Sequence, residues 1–407
     1  MKNFTDPLNF SIRVPGDVQF ILDTLKNAGY EAYIVGGCVR DSILGRTPGD
    51  WDITTSALPV QVKSLFSNTA DNGIKHGTVM VIRHGLAYEV TTYRIDGEYK
   101  DGRHPESVSF TPSLKEDLKR RDFTVNAFAY SPETGVVDLF DGLSDLERGL
   151  IRAVGSPEKR FSEDALRIMR AVRFSAQLSF EIEENTWNAV RAIAPKLSLV
   201  SAERIRVEFE KTLFSENPSY VNKYRELGLA EYITPDVYEK CFDPESEKIY
   251  EGIGTELSGE ELKYLRLAAF FKNLTCEECR RVMRQMTFDN KTRDIVSSIL
   301  RYKDKEIRPD GKAVRGALKQ MGVQVLRLLL GFKAACGADV SEVCSVLEGV
   351  LERGEAWCIS MLAVNGSDLM EAGVPQGREL GAALAKLLDA VIDDPSLNEK
   401  EKLLKLL

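Results

Sequence analysis

The chain has 407 residues, 43% of them hydrophobic, enough to bury a large core in roughly two to four domains. A net charge of −8 excludes a uniformly basic nucleic-acid binder, so any RNA contact must come from local basic patches. No apolar run approaches the roughly 18 residues of a membrane span, and no basic segment leads into an apolar one at the N-terminus, so the cytoplasm is the expected location.

Residues 17–29 read as an amphipathic helix ending at glycine, and 32–35 as a short apolar strand. Gly36-Gly37 then turns the chain into a helix over 39–44. A strand is expected over 50–54, followed by a helix with Ser56 near its start and Pro59 in its first turn. Residues 77–84 and 86–94 alternate apolar and polar around His84-Gly85, the mark of a hairpin. The polar, turn-rich stretch 95–109 reads as a mobile loop. A helix over 113–120 and strands over 136–140 and 151–154 complete a mixed α/β region. Beyond Ser156 strand signals nearly vanish. Helical patterns run over 162–178, 184–193, 201–214, 218–227, 258–271, 275–286, 290–303, 311–320, 324–335, 340–352, 367–372, 377–392 and 398–407, with a charged boundary segment at 301–310.

Seven scattered cysteines, an odd number, point to reduced thiols. Cys276-Glu277-Glu278-Cys279 has metal-ligand spacing, but no second ligand pair lies near it and Thr275 makes it the start of a helix. The three histidines (His76, His84, His104) all lie in the first part of the chain, which excludes a His/Asp metallophosphohydrolase domain from the remainder.

Asp50 and Asp52, one residue apart, point the same way from an extended strand. Such a pair can hold one or two Mg2+ ions by oxygen while leaving coordination positions for phosphates. A bare Asp-x-Asp also serves glycosyltransferases and occurs in solvated turns; the lead-in Gly36-Gly37-Cys38-Val39-Arg40-Asp41 favours phosphate, because glycines let backbone N–H groups approach closely. Glu89 is either a third carboxylate or a solvated strand residue.

Lys119-Arg120-Arg121 precedes Asp122 and Asn126. The planar arginine fork suits a triphosphate, and Asp with Asn suits ribose hydroxyls; a charged helix end is the plain alternative. Asp164 and Arg167, three apart on an expected helix, are either an ordinary ion pair or a template for a base. Cytosine and adenine both present an amino donor beside a ring acceptor, matching a carboxylate and a guanidinium. Uracil and guanine present the reverse and would leave polar groups mispaired. Arg170 and Arg173 extend the cationic ridge.

Five segments in order, 36–52, 119–127, 138–152, 161–174 and 201–211, closely resemble the class II tRNA nucleotidyltransferases, the bacterial CCA-adding enzymes of the DNA polymerase β superfamily. The resemblance implies an α+β fold: a polymerase-β-like nucleotidyltransferase head with a small mixed sheet (1–152), then an all-α neck (153–215), body (216–305) and tail (306–407). It implies that Asp50 and Asp52 hold Mg2+ and promote attack of the tRNA 3′-hydroxyl on the α-phosphate of CTP or ATP. Gly37, Arg40 and Arg121 would contact the nucleotide, Asp164 and Arg167 would read the base edge, and Arg170 and Arg173 would line the same pocket. Body and tail would grip the acceptor stem and elbow of tRNA, with the glycine-rich segment 373–381 either a backbone-phosphate contact or a plain helix connection. The implied partners are tRNA, CTP and ATP without a membrane, and a homodimer is among the assemblies allowed.

Lys75-His76-Gly77-Thr78-Val79 and Tyr88-Glu89-Val90 resemble the CCA-adding form rather than bacterial poly(A) polymerase. The loop Asp101-Gly102-Arg103-His104-Pro105 argues against CC-only addition, although His104 stands where the family more often has arginine. A-only addition, poly(A) synthesis and an inactive RNA-binding paralogue remain as alternatives.

Overall fold

The computed structural model describes residues 10–71, 73–97, 108–254, 257 and 259–407. The chain divides into two compact units, Met1–Asp236 and Val237–Leu407.

In the first unit, α1 (Gly16–Asn27) buries Val18, Ile21, Leu22 and Leu25, the stripe that its helical spacing dictates. β1 (Ala32–Val35) ends where Gly36, at φ 81°, turns into α2 (Gly37–Ile43). Then come β2 (Asp52–Thr55), α3 (Pro59–Leu65), β3 (Thr69–Ala70) and the hairpin of β4 (Thr78–Arg83) and β5 (Leu86–Thr92). The hairpin turns on His84 and Gly85, both with positive φ. β6 (Arg94–Asp96) and β7 (Val108–Phe110) pair at the root of the expected loop; residues 101–105 lie outside the described residues. α4 (Leu114–Lys119), β8 (Phe128–Ser131), β9 (Gly135–Asp138) and α5 (Gly142–Arg148) follow.

Seven strands form one sheet in the order β3-β4-β5-β2-β1-β8-β9. The β2–β5 pair is parallel and the other neighbours are antiparallel. Val35, Leu118 and Ala129 form a core cluster with Tyr33, Leu114, Val137 and Phe140 against it. Alternate residues of β1 therefore face α4, as the period of two requires.

Several expectations need correction. β8 has no counterpart among the expected strands, yet all four of its residues are buried beside β1. A short run without alternation carries no period to reveal it. The strand expected over 50–54 begins at Asp52: Val35 pairs with Asp52 and Gly36 then leaves the sheet, so Asp50 and Trp51 have no strand to pair with. The strand expected over 151–154 is the two-residue β10 (Leu150–Ile151), paired outside the main sheet with β11 (Glu181–Ile182).

The helix expected over 162–178 is two helices, α6 (Pro157–Glu163) and α7 (Leu166–Leu178). Asp164 between them is extended (φ −134°, ψ 105°), and its carboxylate accepts from the Leu166 N–H at 3.1 Å. That local bond competes with helical continuation. Asp164 and Arg167 are therefore not an intrahelical pair. α8 (Glu184–Ile193) and α9 (Ala202–Leu213) fall where expected.

The described part of the second unit is helical. Gly322, at φ 73°, breaks the stretch Gly311–Ala335 into the two helices expected on either side of it. Tyr238–Cys241 and Ser246–Gly252, like Ala230–Ile233 at the end of the first unit, are helices the sequence did not reveal, each too short to display a period. Arg315 is buried and donates twice to the Ile392 carbonyl (2.9 and 2.8 Å) while pairing with Glu355. Gly377, at φ 112°, leads into the helix Arg378–Asp393. Thr275 and Glu278 form the capping box of the helix Cys276–Gln285, and all seven cysteines are free. Among the described residues, no helix is long and apolar enough to cross a membrane.

Candidate active site

The register Val35↔Asp52, with the Gly36 N–H donating to Phe128 O at 3.1 Å, fixes the glycine turn beside the first residue of β2. The parallel register Ile53↔Val90 sets Asp52 next to Glu89, on the face shared by Thr54 and Thr91. Asp50, Asp52 and Glu89 are all exposed. Even so, loss of solvent around its carboxylate raises the Asp52 pKa; Arg121 opposes this and Asp50 adds to it. The Glu89 pKa is also raised, first by desolvation and then by Asp52 and Asp50. Carboxylates crowded in this way favour a cation or a proton. Among the described residues no three metal-ligating side chains come together, so Glu89 does not close a cage with the aspartates. The hard oxygen donors of Asp50 and Asp52 fit a divalent ion that takes its remaining ligands from water or phosphate.

Arg121 reaches this point from the end of α4. A Cβ on Gly36 would lie 2.9 Å from its Nη1, so only glycine admits the guanidinium there. The Arg121 Nε is buried without a hydrogen-bond partner. Desolvation lowers its pKa, against the pull of Asp117 and Asp52.

A line of polar contacts joins the other expected residues. Arg40, which pairs with Asp41 at 2.8 Å, donates from Nη1 to Asn126 Oδ1. Asn126 Nδ2 donates to Asp122 Oδ1 at 3.1 Å, and Arg170 Nε donates to Asp122 Oδ2 at 2.7 Å. Burial would raise the Asp122 pKa, but Arg170 and Arg167 hold it far below the usual carboxylate range. Asp122 and Asn126, expected at a ribose, thus engage one another and two arginines. The Phe174 ring lies under three guanidiniums: Arg173 at 4.1 Å, and Arg40 and Arg170 at 5.2 Å. Such contacts contribute roughly 0.5–2 kcal/mol each, more when desolvated. Arg173 also pairs with Glu208 at 2.9 Å, both side chains buried, tying α7 to α9.

Asp164 and Arg167 are close in sequence but have different partners. Asp164 pairs with Arg204 of α9 at 3.2 Å. Arg167 donates to Glu163 (3.1 Å) and to the backbone carbonyls of Arg160 (3.2 Å) and Arg120 (2.9 Å). These bonds run from Nη1 and Nη2. A cavity of about 650 Å³ adjoins these residues, with Lys119, Arg120, Lys159, Arg160 and Glu163 in its wall; neither Asp50 nor Asp52 lines it.

Sequence reasoning missed the supports. Asp117, wholly buried, accepts from Arg120 at 2.9 and 2.8 Å and lies 3.7 Å from Arg121 Nη2. Its spacing of three and four from those arginines, which follow the end of α4, was the available signal. Asp145, also buried, accepts from Thr124 Oγ1 (2.6 Å) and Arg152 Nε (2.8 Å), anchoring the segment that carries Asn126. A Cβ on Gly142 would come within 2.5 Å of Thr124 O, which explains the glycine there. Arg204 and Glu208 lay inside the segment 201–211, but their partners, Asp164 and Arg173, could not be read from it.

Residues 32–152 match the Poly A polymerase head domain, 179–241 match the "probable RNA and SrmB-binding site of polymerase A", and 256–407 match tRNA nucleotidyltransferase domain 2. The CCA-adding enzyme of Ligilactobacillus salivarius is 37% identical over 394 residues, covering 95% of this chain and 94% of the relative. That of Limosilactobacillus fermentum is 38% identical, covering 100% and 98%. The solved CCA-adding enzyme of Bacillus stearothermophilus, in complex with CTP, has 35% identity and a TM-score of 0.82 over 97% of each chain. With identity of this order along nearly the whole length of both chains, the protein belongs to the bacterial class II CCA-adding enzymes and is a tRNA nucleotidyltransferase.

Proposed function

We propose that the protein adds C, C and A in turn to the 3′ end of tRNA, from CTP and ATP with release of pyrophosphate, and that Mg2+ is its ion. The observation that supports this most is the meeting of the Asp50/Asp52 carboxylates, the Gly36 turn and Arg121 at one point of the sheet. The Bacillus stearothermophilus relative holds CTP, which favours the same substrate here.

Asp50 and Asp52 are the residues that would hold the ion, whose charge when bound stabilises the charge developing on the transferred phosphoryl group. Arg121 offers the triphosphate a fork of unengaged donors, Gly37 an open backbone approach, and Arg40 a charge locked in place by Asn126 and Asp41. Asp164 accepts the amino proton of cytosine or adenine while Arg204 fixes its orientation, and Arg167 donates to the ring nitrogen. Arg170 and Arg173 line the same pocket through the Phe174 platform. In this reading residues 1–152 are the catalytic head, 153–215 the base-reading neck, 216–305 the body, and 306–407 the tail that holds tRNA.

The test is to sequence the 3′ ends made on tRNAs that stop before CCA, after C and after CC. Complete CCA on all three supports the reading. Extension only after CC would mean A-adding, and a run of A would mean poly(A) synthesis. Asp164→Ala should admit UTP or GTP relative to CTP and ATP; unchanged base choice would reduce the residue to a partner of Arg204.

A further inference from the structure

We infer that Asp117 is a positioning residue for nucleotide binding, holding the Arg121 guanidinium beside the Gly36 turn and tying it to the strand that carries Asp52. The inference rests on the proposed role of Arg121 as a triphosphate ligand. Asp117 has no exposed surface and sits on α4. Its Oδ1 accepts from Arg120 Nε and Nη2 at 2.9 and 2.8 Å and faces the Arg94 backbone N–H at 3.4 Å. Its Oδ2 accepts from Thr54 Oγ1 at 3.2 Å and lies 3.7 Å from Arg121 Nη2. One carboxylate therefore meets β2 two residues after Asp52, the start of β6, and both arginines.

The two arginines are held differently. Arg120 is fixed by two hydrogen bonds, from Nε and Nη2, to one Asp117 oxygen. No side-chain hydrogen bond of Arg121 occurs among the described residues, and Asp117 at 3.7 Å is its ion-pair partner there. Attraction at that distance restrains the guanidinium without occupying its N–H donors, so they stay available for phosphate oxygens. Asp52 also attracts Arg121, and the missing Cβ of Gly36 makes room for its guanidinium.

The experiment is a double-mutant cycle on the full-length protein, with KM and kcat for CTP measured on tRNA lacking its 3′ end and melting followed in parallel. Arg121→Gln should raise the KM for CTP on the order of ten- to a hundredfold, the scale for misplacing a binding group. Asp117→Asn should raise it comparably, and the double variant should be no worse than Arg121→Gln alone. Because Asp117→Asn takes from the half-buried Arg120 the carboxylate that it hydrogen-bonds, Asp117→Asn with Arg120→Gln removes both members of that pair and keeps the fold accessible to test. This variant should show the same raised KM. If Asp117→Asn multiplies KM by the same factor with and without Arg121, or if the charge-balanced variant keeps the wild-type KM, the inference is overturned. If Arg121→Gln leaves KM unchanged, the proposed role of Arg121 fails, and the inference with it.

Discussion

Gly36 and Gly37 are adjacent, yet alanine should affect them in opposite ways. Gly36 has φ 81° and ψ −134°, a region that costs an L-residue about 1–3 kcal/mol. Its new Cβ would also lie 2.9 Å from Arg121 Nη1 and must displace that guanidinium. Taking about 2 kcal/mol in total, and about 2–4 °C per kcal/mol for a unit of this size, Gly36→Ala should melt the first unit about 4–8 °C lower. Gly37 is a helical residue whose added Cβ would meet Arg40 Nη2 at 3.5 Å, an ordinary contact. Gly37→Ala should hold its melting temperature or gain by up to about 0.5–1 kcal/mol. If the nucleotide lies over this turn, the methyl group should nevertheless raise the KM for CTP. The assay is thermal unfolding by circular dichroism beside CTP titration of nucleotide addition. Equal melting of the two variants would refute the assigned strain at Gly36. An unchanged KM in Gly37→Ala would refute the approach of phosphate to this turn.

Asp122→Ala should cost about 3 kcal/mol at neutral pH, the low end for breaking a buried pair because Arg170 keeps part of its surface in water. The Asp122 pKa is depressed in the folded state, so its contribution is present above the unfolded value of about 4 and is lost as pH falls toward the folded one. Denaturation curves of wild type and Asp122→Ala should therefore converge only in acid; a constant gap down to about pH 2 would exclude a charge effect. Chelation with EDTA should abolish CTP incorporation, and Mg2+ should raise the melting temperature of wild type but not of Asp50→Asn with Asp52→Asn; equal stabilisation of both would move the ion elsewhere. Arg315→Ala leaves the Ile392 carbonyl without its two Arg315 donors and Glu355 paired with Arg353 instead of Arg315, and should destabilise the second unit by about 3 kcal/mol. Hydrogen exchange should show loss of protection there while residues 16–55 keep theirs; uniform loss would contradict two separately stabilised units.

The fold class, the head and most helices follow from the chain itself, because amphipathic periods and glycine turns are local properties. Asp50/Asp52 and the Arg121 segment, the proposed site, could be singled out for the same reason: each is a contiguous motif. Tertiary structure decided who partners whom. β8 lies inside the sheet, between β1 and β9, but has no period, so burial of all four residues made it a strand rather than any pattern. Asp164 and Arg167 read as neighbours on a helix, but a local carboxylate–amide bond ends the helix between them. Their partners, Arg204 and Glu163, depend on how α6, α7 and α9 pack. Asp117 stood four residues from Arg121 in plain view. Its reach to Thr54 required β2 and α4 to meet across the sheet face, and sequence spacing cannot encode a contact between segments whose separation only the packed core fixes.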